Sequence, residues 1–431
     1  MRAVATLVVA LLTAVLLPAP AAQAATPPMP GDFTGYAFDT CEAPSQKKMD
    51  AWRRHSKYAG VGIYIAGRNR ACPEQEQLTP RWVRKQSGKG WQLLPLVVGR
   101  QAACAPKQRY DGKRIAKDPD NSYAQARRQG RAEARAGVEA ARRLGIGKRS
   151  VLWFDLEDFD VSKTHCRRSA LAFVSGWTAQ LHDRGYRSGL YSSAGSGIIA
   201  VDNARRLSPG SYKLPDYLWI AEWDRREDVR SSYIDEDGWW PHRRVKQYRG
   251  DQHERHVGVR IHIDSNVVDT GQGTVGGRAA PSCGVELDHR RYLRLSRGDR
   301  GDQVKAAQCL LRQKDVYAGK VDGRYSKATA KAARRFQERH GLRRTGEMDP
   351  RTWTALHAVG ARPLLKYGSG GNAVRRLQRA LNAARSGDLR VDGIFAQAEH
   401  RAVKRYQRER GRGTSGVVTA ELWRQLQRGK L

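Results

Sequence analysis

Val151-Leu152-Trp153-Phe154-Asp155-Leu156-Glu157-Asp158 is a short apolar run, rich in β-formers, that ends abruptly in carboxylates. Side chains alternate faces along a strand, so Asp155 and Glu157 point one way while Phe154 and Leu156 point the other. No polar alternation precedes Asp155, which is the pattern of a parallel strand covered on both sides. Acids at the C-terminal end of such a strand stand where α/β barrels keep their active sites. Taken alone, a D-x-E also fits a plainer role, capping a helix or pairing with surface arginines, so its surroundings decide.

Those surroundings are a series of similar runs. Thr34–Asp39, Val61–Ile65, Leu93–Val98, Val151–Glu157, Ser188–Tyr191, Tyr217–Ala221, Val245–Tyr248 and Ile261–Asp264 predict eight strands, with Pro95 arguing against full pairing of the third. Helical spacing over Ser122–Leu144, closed by Gly145, and over Leu171–Gly185 separates them. Strands alternating with helices imply parallel pairing, and eight of them imply a (β/α)8 TIM-like barrel over residues 32–272.

In that barrel Asp39 ends the first strand, Asp155 and Glu157 the fourth, and Asp264 the eighth, while Glu222 and Asp224 follow the sixth. These acids converge on one mouth, with Tyr64, Tyr191, Trp219, Trp223, Gln247 and Tyr248 beside them as substrate-binding candidates. Aromatic faces around carboxylates suit sugars, whose rings offer C–H faces while their hydroxyls need polar partners. The tyrosines also fit ordinary barrel filling.

The segment from Phe33 to Thr270 resembles the glycoside-hydrolase-like barrels of a domain-of-unknown-function family in secreted actinobacterial proteins, distantly similar to family-25 lysozymes. The matching residues are Gly35-Tyr36-Ala37-Phe38-Asp39, Phe154-Asp155-Leu156-Glu157, Trp219-Ile220-Ala221-Glu222-Trp223, Val245-Lys246-Gln247-Tyr248 and Ile263-Asp264-Ser265-Asn266. The resemblance implies a catalytic set of Asp39, Asp155, Glu157 and Asp264, no cofactor and no metal. Glu157 is expected to be the general acid, kept protonated by neighbouring carboxylates and partial burial. Asp155 would orient the substrate's acetamido group, and Asp264 or Asp39 would hold charge or activate water across the mouth.

Residues 1–24 read as a secretory signal peptide: Arg2, an apolar core from Ala3 to Leu17, and Ala22-Gln23-Ala24 at the cleavage site. No later run approaches the ~20 apolar residues of a membrane span. Export and six cysteines without a C-x-x-C pair predict three disulfides. Cys41, Cys72, Cys104 and Cys166 fall in loops after the first four strands, on one face, which favours Cys41–Cys72 and Cys104–Cys166 and leaves Cys283 with Cys309.

Beyond a Gly-rich linker, placed at 273–290, the chain repeats itself. Gly301, Val304, Gln308, Leu311, Val321-Asp322-Gly323, Phe336-Gln337, Gly346 and Trp353 recur 70 positions later without a gap. Each copy, 291–360 and 361–431, predicts a small all-α module of three helices, Val304–Leu311, Thr329–Glu338 and Pro350–Leu356 in the first. The pattern resembles the peptidoglycan-binding domain of bacterial wall hydrolases; the plainer alternative is a dimerisation or spacer domain.

The net charge of +35 and pI near 10.5 predict salt-sensitive attraction to polyanions. For an exported protein these are peptidoglycan and anionic wall polymers; without a base-stacking platform, no nucleic-acid partner is expected. Peptidase motifs are absent from the sequence, and His253, His256 and His262 offer only a weak metal motif. The sequence therefore predicts a secreted, monomeric, wall-associated muramidase-like hydrolase, or, as the alternative, an inactive barrel that grips glycan.

Overall fold

The computed structural model describes residues 33–271, 282–385, 387–411 and 413–431. The expected signal peptide at 1–24 and the Gly-rich stretch at 272–281 lie outside the described residues. Eight strands close in sequence order into a barrel: β1 Thr34–Asp39, β2 Gly60–Ala66, β3 Gln92–Val97, β4 Val151–Leu156, β5 Arg187–Ser193, β6 Tyr217–Ala221, β7 Arg244–His256 and β8 Val259–Asp269. Helices α1 Gln46–His55, α2 Pro80–Gly88, α3 Ala124–Arg143, α4 Thr164–Asp183 and α5 Ile199–Leu207 lie between the earlier strands.

The expectation of eight parallel strands needs correction. β1 to β7 are parallel, but β8 runs antiparallel to both β7 and β1. The histidine-bearing stretch between them continues both strands into a hairpin that turns at Val257-Gly258, both with positive φ. Paired positive φ values match the right-handed twist of the two arms, as in two-residue hairpin turns. The arms are polar, so hydrophobic alternation did not reveal them. Pro95 is tolerated within β3 because bonding to β4 begins only at Leu96.

The barrel interior is filled by Ala37, Leu94, Leu96, Trp153, Trp219, Val245 and Val268. Two large indoles fit because glycines face them: a Cβ on Gly189 would lie 2.3 Å from Trp153, and one on Gly62 3.1 Å from Trp219. A second apolar layer lies between barrel and helices, where Phe154 meets Phe173 and Trp177 of α4.

The C-terminal copies fold alike: α6 Asp302–Gln313, α7 Lys327–Arg339 and α8 Pro350–Ala358, then α9 Asn372–Ala383, α10 Gln397–Arg408 and α11 Ala420–Gln427. The repeated glutamines explain the repeated pattern. Gln308 accepts from the Gly323 amide at 2.9 Å and donates to Asp322 at 2.9 Å, and Gln378 does the same with Gly393 and Asp392 at 2.9 and 2.8 Å. Buried amides that satisfy a turn in this way fix it in place. All three expected disulfides are present: Cys41–Cys72, Cys104–Cys166 and Cys283–Cys309.

Candidate functional site

The odd-numbered residues of β4 face inward, which carries Asp155 above Trp153 at the barrel's C-terminal mouth. Asp39, Tyr64, Asp155, Glu157 and Asp264 line one cavity of about 200 Å³, together with Asn69, Arg70, Arg109 and His262. Asp264 reaches it by a different route from the one expected. It does not end a parallel strand; it stands in mid-β8 opposite Asp39, and the reversed strand direction returns it to the mouth.

Asp39 and Asp264 form a linked pair. Gln247 Nε2 donates to Asp264 at 3.1 Å and to Asp39 at 3.3 Å, while Asp39 also accepts from Asn266 at 2.7 Å and from the Tyr64 hydroxyl at 3.2 Å. Gln247 is oriented by two donors on its oxygen, the Tyr191 hydroxyl at 3.1 Å and the Trp223 indole at 2.8 Å. Burial and then the Asp264 charge push the Asp39 carboxyl up to about 7, against three hydrogen bonds that favour its anion. Asp264 is also raised, mainly by burial.

The two acids of the D-x-E differ sharply. Asp155 is 5 % exposed and its Oδ1 has no hydrogen-bond partner. Burial, then the charges of Glu157 and Asp39, raise it well above the carboxylate range. Burial also pushes Glu157 upward, but hydrogen bonds from Lys107 and Tyr110 and the charges of Lys107 and Arg109 outweigh it and leave its pKa lowered. Both Glu157 oxygens are engaged, one by the Lys107 ammonium and the other by Arg109 at 2.8 Å. The two shifts run against the expected pattern: the surroundings favour the neutral form of Asp155 and the anion of Glu157.

Several expected mouth residues lie elsewhere. Trp219 is fully buried below the mouth and donates to Asn266 at 2.7 Å, so it is floor and not a stacking platform. Tyr248 faces the barrel's outside, where its hydroxyl accepts from Lys57 at 2.9 Å. Asp224 pairs at 3.0 Å with Lys246, a fully buried ammonium also held by Asp228. Glu222 follows β6 with its Oε2 buried and unpartnered, and it is not among the residues lining the cavity. Trp223 is 58 % exposed beside Gln247, and Tyr191 meets Trp219 edge-on.

Sequence reasoning missed the basic side of the mouth and its backbone clamp. Lys107, Arg109 and Arg70 come from loops without a pattern. Gln101, fully buried, donates to the Asp155 carbonyl at 2.8 Å and accepts from the Glu157 amide at 2.7 Å, which fixes the strand end that presents both acids. His253 and His262 are cross-strand neighbours on the hairpin, and among the described residues no cluster of three or more His, Cys, Asp or Glu could hold a metal.

Residues 50–268 match the model of the Rv2525c-like, glycoside hydrolase-like domain, and residues 300–356 and 370–426 each match the putative peptidoglycan binding domain. Among curated proteins, an uncharacterized protein in the bpoA1 3′ region of Kitasatospora aureofaciens is 43 % identical over 63 residues, 14 % of this chain and about half (53 %) of that protein's length. Among solved structures, the Mycobacterium tuberculosis Tat-secreted protein Rv2525c in complex with L-tartrate aligns with 14 % identity and TM-score 0.37 over 55 % of this chain and 95 % of that one. A family 25 glycosyl hydrolase from Bacillus anthracis aligns with 12 % identity and TM-score 0.31, over 55 % and 89 %. With just over half of its length matched at 50–268, the chain belongs to the Rv2525c-like, glycoside hydrolase-like family and carries two peptidoglycan-binding domains behind that barrel.

Proposed function

We propose that this protein is an exported, cell-wall-associated glycan hydrolase of the muramidase type that cleaves β-1,4 bonds in peptidoglycan. The observation that carries the reading is two neighbouring carboxyls in opposite settings at one mouth: Asp155, buried with an unpartnered oxygen and its pKa raised, beside Glu157, paired with Lys107 and Arg109 and its pKa lowered. Two carboxyls pushed apart by their environments are what acid-assisted glycoside cleavage needs. In this reading Asp155 gives its proton to the departing glycosidic oxygen. Glu157, ionised, faces the positive charge developing at the anomeric carbon or orients the neighbouring acetamido group. The Gln247-bridged pair of Asp39 and Asp264 takes up the proton of the attacking water.

A second reading rests on one observation: Lys107 and Arg109 occupy both oxygens of Glu157. A mouth whose second acid is neutralised in this way suits a barrel that grips glycan without cleaving it. The test is reducing-sugar release from purified peptidoglycan by the wild type, Asp155→Asn and Glu157→Gln, with wall pull-down on each. Wild-type release that falls by at least about 100-fold in Asp155→Asn, with pull-down intact, supports the hydrolase. Intact pull-down without release from the wild type selects the binding reading.

A further inference from the structure

The two copies of the C-terminal domain have the same fold but not the same surroundings. β7 passes directly into β8 by a turn, without a crossover helix, and the second copy packs on the outer wall beside β1. Tyr36, on the outer face of β1, meets Tyr367 edge-on at 5.1 Å and His400 at 5.5 Å, and its hydroxyl lies 3.4 Å from Gln397 Oε1. Gly35 lets the backbones approach, since a Cβ there would lie 2.8 Å from the Tyr367 carbonyl. Lys366, 1 % exposed, spends its ammonium on the carbonyls of Arg53, Ser56 and Tyr58 in the barrel.

The 70-residue offset identifies the same face in the first copy. Lys366, Tyr367, Gln397, His400 and Lys404 correspond to Ser296, Arg297, Lys327, Ala330 and Arg334. The docking side chains are thus peculiar to the second copy. In the first copy Arg297, Lys327 and Arg334 are exposed, and none of them makes an ion pair among the described residues. The backbones of Arg300 and Arg324 pair in an isolated antiparallel β-bridge on the adjoining turn.

We propose that the copies divide the work: the second is a fixed wall of the barrel, and the first presents the equivalent face as an open cation surface for a phosphodiester-linked wall polymer. Guanidinium groups suit the choice, because their planar fork matches phosphate oxygens and a phosphodiester stays charged at every physiological pH. The inference rests on the wall-associated reading above for the location of the polymer, but not on hydrolysis.

The test is co-sedimentation of the full chain with intact Gram-positive walls and with the same walls stripped of phosphodiester polymer. The variants are Arg297→Gln/Lys327→Gln/Arg334→Gln and a charge-matched control on α2, Arg81→Gln/Arg84→Gln/Lys85→Gln. The expected result is a loss of about tenfold in affinity for intact walls in the first variant, little change in the control, and no difference between them on stripped walls. Equal losses in both variants would reduce the effect to net charge and overturn the proposal. An equal loss on stripped walls would mean that carboxylates are the ligand and would overturn the phosphodiester assignment. A wild type that binds neither wall would sink the wall-associated reading itself. In Tyr367→Ala/His400→Ala, faster amide exchange along β1 with wall affinity retained is expected; loss of affinity there would place binding on the docked copy and refute the division.

Discussion

Asp39→Asn gives the sharpest check on the electrostatics of the mouth. Asp39 is 2 % exposed, and burial plus the Asp264 charge raise its carboxyl from 3.8 to about 7. A raised carboxyl binds its proton more tightly in the folded chain than in the unfolded one. The resulting stability is fully present below about 3.8 and is lost as pH rises through about 7. At about 1.4 kcal/mol for each pH unit, the wild type loses about 4 kcal/mol across that window. Asparagine abolishes the charge and keeps the shape. It retains the Asn266 and Gln247 bonds to Oδ1, and the Tyr64 hydroxyl can turn to accept, while the 3.4 Å Gln247 contact to the second oxygen is lost at a cost of about 1 kcal/mol at every pH. The diagnostic quantity is therefore the slope. Urea unfolding of the barrel transition at pH 4, 6 and 8 is expected to show wild-type stability falling more steeply with pH than that of Asp39→Asn, which keeps only the contributions of the raised Asp155 and Asp264 carboxyls, so that the gap between the two proteins shifts in the variant's favour toward pH 8. Parallel profiles for the two proteins would refute the raised Asp39 carboxyl.

Lys366→Met removes a buried ammonium that serves three carbonyls, and a loss of about 2–4 kcal/mol in unfolding free energy is expected, with faster exchange at the start of β2. Gln308→Ala and Gln378→Ala strip the same turn in each copy and are expected to cost about 1–3 kcal/mol apiece, read by thermal unfolding; widely different losses would contradict the equivalence of the repeats. Opening Cys104–Cys166 with paired serines removes a crosslink spanning 62 positions and is expected to cost about 4 kcal/mol on the loop-entropy account, with increased proteolysis of the segment bearing Lys107 and Arg109. If the mouth hydrolyses glycan, Lys107→Ala/Arg109→Ala frees Glu157 and is expected to shift the acidic limb of the pH–rate profile upward, because two charges that hold its pKa down, and so keep it ionised, are gone. An unchanged profile would exclude Glu157 from the titrating set.

Much of this protein is legible in its sequence because the information is local. An apolar run ending in D-x-E specifies a buried strand whose two acids share a face, and the run from Val151 needs no partner to state it. The offset of 70 with no gap makes the second module a copy of the first, since the same buried glutamines must satisfy the same turns. Cysteines placed after successive strands foretell their pairing for the same reason. Tertiary structure decided what depends on distant neighbours. β8 reversed because two polar arms found each other across a turn, and only that reversal returns Asp264 to the mouth. Protonation of the D-x-E could not be read from its spacing: Lys107 and Arg109 arrive from a loop 48–50 positions away and hold the charge on Glu157, leaving Asp155 in the buried, unpartnered place that favours its neutral form. Tyr248 and Asp224 left the site through the pleat and through a buried lysine that needed carboxylates. A side chain's identity sets which chemistry is available to it, while its dielectric surroundings and charged neighbours, gathered by the fold, set which state it occupies.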